Sequence, residues 1–151
     1  GLELYGCYTR EEIFALFGRQ TAYKKMQGVA AGVFYVDESN TELLFVTLNK
    51  SEKDFSPSTQ YNDYFISEWR FHWQSQNTMS HSNAGSRYVK QRGNGRRFLL
   101  FVREDKKDGF GNTSPYYCMG LLDYVSSHGN YPMNIEWKLQ KPAIAKFVKA
   151  V

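Results

Sequence analysis

Hydrophobic and polar positions alternate most regularly between Trp69 and Gln74, where Trp69, Phe71 and Trp73 interleave with Arg70, His72 and Gln74. A period of two is what a strand with one buried face requires, and it places His72 opposite the aromatic side. Alternation or short apolar runs also predict strands at Val33–Val36, Leu43–Leu48, Arg96–Val102, Tyr116–Val125 and Met133–Leu139. Near the start of the chain the period changes. Ile13, Leu16 and Phe17 fall at i, i+3 and i+4, which predicts a helix from Arg10 to about Phe17. Thr9 and Glu12 have capping-box spacing before it, and Gly18 is placed to end it in a left-handed conformation. A second, shorter helix is expected over Ser86–Gln91.

The connections sharpen this outline. Asp37–Thr41 is a polar turn between two strands. The Lys50–Ser67 link is long for a hairpin, carries Pro57, and is of the kind that often holds binding groups. After Pro142 the tail reads equally as an edge strand or a brief helix. Five or six strands with one well-capped helix predict an α+β domain. Its sheet should be strongly curved and mainly antiparallel, or a small open β-barrel of PUA-like scale. A doubly wound parallel fold would need crossover helices that the pattern lacks. One core, and one domain over residues 1–151, suits this length.

Composition adds limits. Hydrophobic residues are 42% of the chain, yet the longest apolar runs, such as Phe98–Val102, are far too short for a bilayer span. With no signal-like opening, the expectation is a soluble, cytoplasmic, monomeric domain with no membrane contact. Its lack of an initiator methionine fits a piece of a longer protein. Cys7 and Cys118 have no C-x-x-C spacing and are expected to be reduced thiols.

The net charge of +4 is too small to argue for a polyanion partner by itself. Its distribution says more. Lys90, Arg92, Arg96 and Arg97 lie close together around Gly93 and Gly95, with Arg87 just before them. Such a loop can lay several cations along one phosphate backbone without reading its sequence; the alternative is a solvated surface turn.

The stretch from Leu43 to Asn77 is the other candidate. It holds two of the three tryptophans, together with Phe55, Phe65, Phe71, Tyr61 and Tyr64. Trp69, Phe71 and Trp73 make either a core face or a ligand face. Tyr61 and Tyr64 sit in a loop and are better placed to stack on a base. Gln74, Gln76 and Asn77 supply amides for the edge of an extruded base. The expected nucleic-acid-binding set is therefore Tyr61, Tyr64, Trp73, Gln74, Gln76, Asn77, Arg87, Lys90, Arg92, Arg96 and Arg97. It includes no catalytic residue, metal ligand or cofactor site.

Other chemistry has thinner support. His72, His81 and His128 form no compact ligand pair with each other or with the cysteines. There is no phosphate-loop sequence, no G-x-S-x-G elbow, and no serine with a predictable histidine partner. The main enzyme alternative is a Mg²⁺-dependent nuclease of the PD-(D/E)xK kind, with Glu136 and Lys138 in E-x-K spacing and Asp123 as the earlier carboxylate. It lacks the Pro-Asp pair and the flanking helices. A third reading is a protein-interaction module that anchors a partner through its aromatic rings.

The words LLFVTLNKSEKDFSPSTQYNDYFIS, FHWQSQN, FLLFVRED and PYYCMG closely resemble a domain of unknown function at the C-terminal end of large bacterial DEAD/DEAH-type helicases. Some of those proteins also carry a phospholipase-D-like nuclease module. The similarity covers roughly Leu4 to Pro142. It implies a bacterial DNA-processing or restriction-like setting, an accessory role beside helicase and nuclease modules, and DNA, modified or not, as the partner. It supplies no catalytic mechanism.

Overall fold

The computed structural model describes residues 1–19, 32–49 and 62–148. Expectations that fall on Phe55, Pro57 and Tyr61 lie outside the described residues. Eight strands form one sheet: β1 Cys7–Tyr8, β2 Val33–Val36, β3 Thr41–Thr47, β4 Tyr64–Phe65, β5 Arg70–Gln74, β6 Arg97–Arg103, β7 Tyr116–His128 and β8 Asn134–Leu139. Among the described residues three short helices accompany them: α1 Arg10–Leu16, α2 Ser86–Val89 and α3 Gln91–Asn94. The strand order is β2-β3-β6-β7-β8-β5-β4, with β1 paired to β7. The sheet is thus open at β2 and β4 among the described strands. It is antiparallel apart from the β3–β6 pair, which runs parallel from Thr41 beside Arg97 to Thr47 beside Arg103.

β3 lies between β2 and β6, and all seven of its residues are buried. Its two faces feed two apolar layers. Leu44 and Val46 join Phe71, Trp73, Tyr88, Phe98 and Trp137 on one side, while Leu43 and Phe45 join Ile13, Phe14 and Phe101 on the other. The capping box of α1 is formed in full: Thr9 Oγ1 accepts from Glu12 N at 3.1 Å and Glu12 Oε1 accepts from Thr9 N at 2.8 Å. The buried face of α1 differs from the expected one. Ile13 and Phe14 are fully buried and Leu16 is 47% exposed, because Phe14 turns its ring between Phe34 and Phe45.

β7 carries two register shifts, opposite Leu100/Phe101 and between Tyr124 and Ser126. Irregularities of this kind bend a strand and raise its twist. The second is held by Gln91, whose Oε1 accepts from Tyr124 N at 2.6 Å while its Nε2 donates to Leu122 O at 2.8 Å. In this way α3 is tied to the middle of the sheet. The tail forms a 3-10 turn at Ala145–Phe147, which places Phe147 against Phe65 and so favours the helical reading over the edge strand. Among the described residues no helix is long and apolar enough to cross a membrane.

Candidate nucleic-acid interface

The basic run from Arg87 to Arg97 folds as α2, α3 and a left-handed Gly95 with φ 67° that turns the chain into β6. Its five cations divide into two groups. Arg87 lies against the Glu42 carboxylate, with Nε 3.0 and 3.1 Å from the two oxygens and Nη2 2.7 Å from Oε1. Arg96 approaches the same carboxylate at 3.5 Å and covers the Tyr35 ring at 4.0 Å. Burial disfavours the Arg87 charge more than any single contact favours it, but the hydrogen bonds it donates to Glu42 and the nearby Glu42 and Tyr88 oxygens together outweigh burial and raise the guanidinium above its ordinary value. Tyr88 hydroxyl, which accepts from Arg87, is pushed well up by burial and by the Glu42 charge. The expectation that Arg87 serves DNA phosphate is therefore corrected: its nitrogens are spent on Glu42, Tyr88 and Ala84 O. Lys90, Arg92 and Arg97 are exposed and have no ion-pair partner among the described residues.

Arg92 and Arg97 open onto a cleft of about 690 Å³ that Arg96, Arg70 and Lys138 also line. Gln91, Phe98, Leu121, Leu122, Tyr124, Val125 and Gln140 complete most of its wall. Strand register explains the gathering. Lys138 on β8 is the cross-strand neighbour of Asp123 on β7 and of Arg70 on β5, so three polar side chains stand in one row on one sheet face. Asp123, the one carboxylate in the wall, accepts from Gln140 Nε2 at 3.2 Å. Arg70 is partly balanced by Glu136, 3.2 Å away, both side chains about one-third exposed. Neither Arg70 nor Lys138 belongs to the set expected from the sequence. The signal for them was there in the polar positions of β5 and β8, but only the pairing of those strands brings them beside Arg92 and Arg97.

The aromatic half of the expected site comes apart. Trp73 is 4% exposed and packs against Tyr88 and Trp137 at ring distances of 5.2 and 6.3 Å. Its ring belongs to the core, a correction to its place in the expected pocket. Gln74 is also committed: its Oε1 accepts from Asn62 N at 2.6 Å and its Nε2 donates to Asn134 Oδ1 at 3.0 Å. Gln76 is half-buried and Asn77 exposed in the loop after β5. Trp69 precedes the strand and is 42% exposed, whereas Phe71 is fully buried. Tyr64 is also at the surface, 45% exposed and stacked on His72 at 4.7 Å with planes 19° apart. Asn62 O fixes the His72 ring through Nδ1 at 2.8 Å. Because Tyr64 pairs with His72, and His72 lies two residues along β5 from Arg70, the stacked rings and the cationic row share one face.

Residues 2–149 match the family model described as "Domain of unknown function (DUF3427)". The chain belongs to this family. Among solved structures it is similar to the 5-hydroxymethylcytosine-specific restriction enzyme AbaSI, at 14% identity and a TM-score of 0.45, over 74% of this chain and 32% of that one. The DUF3427 chain thus spans about a third of the length of that enzyme chain. No curated protein matches it.

The nuclease pattern can be placed on the DUF3427 domain. Asp123 and Lys138 are cross-strand neighbours in the cleft, but Glu136 is turned to Arg70. No group of three or more His, Cys, Asp and Glu side chains suited to a metal ion occurs among the described residues. Cys7 and Cys118 are free thiols, and burial pushes the Cys118 thiol up. The fold does bring one serine to a histidine that no sequence spacing predicts: Ser127 Oγ lies 2.7 Å from His81 Nε2.

Proposed function

We propose that this domain binds DNA through the cationic cleft, as an accessory unit of a larger bacterial helicase or restriction-like protein. The observation that carries the reading is the convergence of Arg92, Arg97, Lys138 and Arg70 on one cleft whose wall contains a single carboxylate. A low-dielectric recess lined by one sign of charge concentrates a polyanion. Phosphate contacts of this kind position a nucleic acid without reading it. The exposed Tyr64 ring, backed by His72 on the same sheet face, offers a platform for an unstacked base, which contributes about 1–3 kcal/mol per base in such sites. Binding of this sort needs no metal, cofactor or chemistry at the cleft, and a monomer suffices for it. A helicase module would deliver single-stranded or locally opened DNA to this face.

The test is fluorescence anisotropy with single- and double-stranded oligonucleotides, unmodified and carrying modified cytosine or adenine, over a range of salt. The triple variant Arg92→Ala/Arg97→Ala/Lys138→Ala should lose affinity for all of them nearly equally and flatten the salt dependence by roughly 0.7–0.9 in log–log slope per lost phosphate contact. Tyr64→Ala should weaken single strands more than duplex. Wild-type protein that binds none of the oligonucleotides at low salt, or a folded triple variant with unchanged affinity, overturns the reading.

A further inference from the structure

A second polar constellation lies at the end of the β7–β8 hairpin, and its hydrogen-bond directions can be solved one after another. His81 N, an obligatory donor, lies 2.8 Å from the Asn130 side-chain atom assigned as Oδ1, so that atom must be the oxygen. His81 Nδ1 lies 2.8 Å from the same oxygen and therefore carries a proton. In the neutral ring this leaves Nε2 as an acceptor, and the group facing it at 2.7 Å is Ser127 Oγ. Ser127 thus gives its one proton to His81, and the Tyr124 hydroxyl, 2.7 Å from Oγ, donates to the serine. The chain of donors runs from Tyr124 to Ser127 to His81 to Asn130.

Each member is held by the fold. Ser127 is paired with Ile135 in the β7–β8 ladder. His81 sits in a turn that Asn83 pins, its Oδ1 accepting from Ser80 N and Gly85 N at 2.9 Å each and its Nδ2 donating to Thr78 O at 2.9 Å. Gly85 lets that turn press on the sheet, because a Cβ there would come within 2.6 Å of both Met133 Sδ and Ser80 O. Tyr131 N donates to Met79 O at 2.9 Å and fastens the hairpin tip that carries Asn130. His81 and Asn130 are exposed and Ser127 is half-buried, so a reactant can reach the serine.

We propose that Ser127 is an activated nucleophile, with His81 as its general base and Asn130 as a positioning residue, and that it accepts acyl groups from activated carboxylic esters. A nucleophile within hydrogen-bond reach of a base that a third group orients is the arrangement such chemistry needs. In the step, the Ser127 Oγ–H proton passes to His81 Nε2 as the Oγ–carbonyl carbon bond forms. The ester C–O bond breaks, and the departing alcohol takes the proton from His81. Water, deprotonated by the same nitrogen, then attacks the acyl carbon; the Oγ–carbon bond breaks, Ser127 Oγ takes the proton back from His81, and the acid is released. The site shares Tyr124 with the wall of the DNA cleft, but its chemistry does not depend on that reading.

The experiment is labelling with an alkyl fluorophosphonate, in which the Oγ–P bond forms as P–F breaks and fluoride leaves with the proton. It is followed by intact mass and peptide mapping, with p-nitrophenyl acetate turnover read in parallel. Folded wild-type protein should gain one adduct on Ser127, and the same protein in denaturant should gain none. Ser127→Ala should abolish the adduct, and His81→Gln should slow labelling by at least 100-fold with its circular-dichroism spectrum unchanged. Asn130→Asp, which keeps the accepting oxygen, should retain labelling that Asn130→Leu loses. No adduct on the wild type, an adduct at another residue, or equal labelling of wild type and folded His81→Gln overturns the proposal.

Discussion

Arg87 holds Glu42 through Nε and Nη2, 3.0 and 2.7 Å from Oε1, at a point where the Glu42 side chain is 1% exposed. The pair joins α2 to the N-terminal end of β3. Arg87 therefore fastens a helix across the sheet instead of facing solvent. Removing one member of a buried pair leaves an uncompensated charge, at a cost of about 3–5 kcal/mol. Glu42→Ala, which takes the carboxylate from both Arg87 and Arg96, should lower unfolding free energy by that order in urea titrations, and Arg87→Ala by somewhat less, since Arg96 stays 3.5 Å from Glu42. A change under about 1 kcal/mol for both, within the range of an exposed pair, would show that the contact is not the fastening described.

Local signals were legible in the sequence and distant ones were not. The capping box of α1 and the hairpin of β2 and β3 depend on residues a few positions apart, and they form where the pattern puts them. The alternation around Phe71 and Trp73 correctly separates them from His72. It overreached at Trp69, because β5 begins only at Arg70. The basic run looked like one surface because the partner that draws Arg87 and Arg96 inward, Glu42, lies 45 positions before Arg87. Arg70 and Lys138 became part of the cleft only through β5–β8 pairing, and His81 met Ser127 across 46 positions. The parallel β3–β6 pair carries no local signal, since each strand reads the same whichever way its neighbour runs.

Gly85 provides a sharp test of how the His81 turn is packed. Its φ of −65° is ordinary, so backbone freedom is not the reason for glycine. Space is: the Ser80 carbonyl oxygen and Met133 sulfur would each lie 2.6 Å from an added Cβ. Gly85→Ala should destabilise the fold by about 1–3 kcal/mol, the usual range for overpacking. Thermal unfolding of the variant at or above the wild-type midpoint would show that the turn yields without cost.

The α1 cap makes part of the stability dependent on pH. Hydrogen bonds from the Thr9 backbone and side chain hold the Glu12 carboxyl below its ordinary value. A depressed carboxyl stabilises the fold above the unfolded-state value, and that contribution is lost as pH falls through the folded-state value. Glu12→Gln should therefore be less stable than wild type at pH 7, with the gap narrowing between about pH 5 and 3. Urea midpoints measured across that window decide it: a gap that stays constant or widens toward acid contradicts the cap as its source.

Arg96 and Arg97 are adjacent in sequence and separable in role. Arg96 leans on Tyr35 at 4.0 Å and on Glu42 at 3.5 Å, and its side chain is 20% exposed. Arg97 starts β6 with its amide donating to Asn40 O at 2.8 Å and its side chain exposed at the cleft. Arg96→Ala should cost stability, since it removes a cation–π contact of about 0.5–2 kcal/mol together with charge near Glu42. It should leave the salt dependence of DNA binding close to wild type. Arg97→Ala should do the reverse, keeping the unfolding midpoint and lowering the log–log salt slope by roughly 0.7–0.9, the loss of one phosphate contact. Urea titration and anisotropy on the same two preparations read both quantities. Equal slopes for the two variants would mean that the cleft does not discriminate between an arginine spent on the protein and one left for the ligand. The division of the basic run into structural and binding cations would then fail.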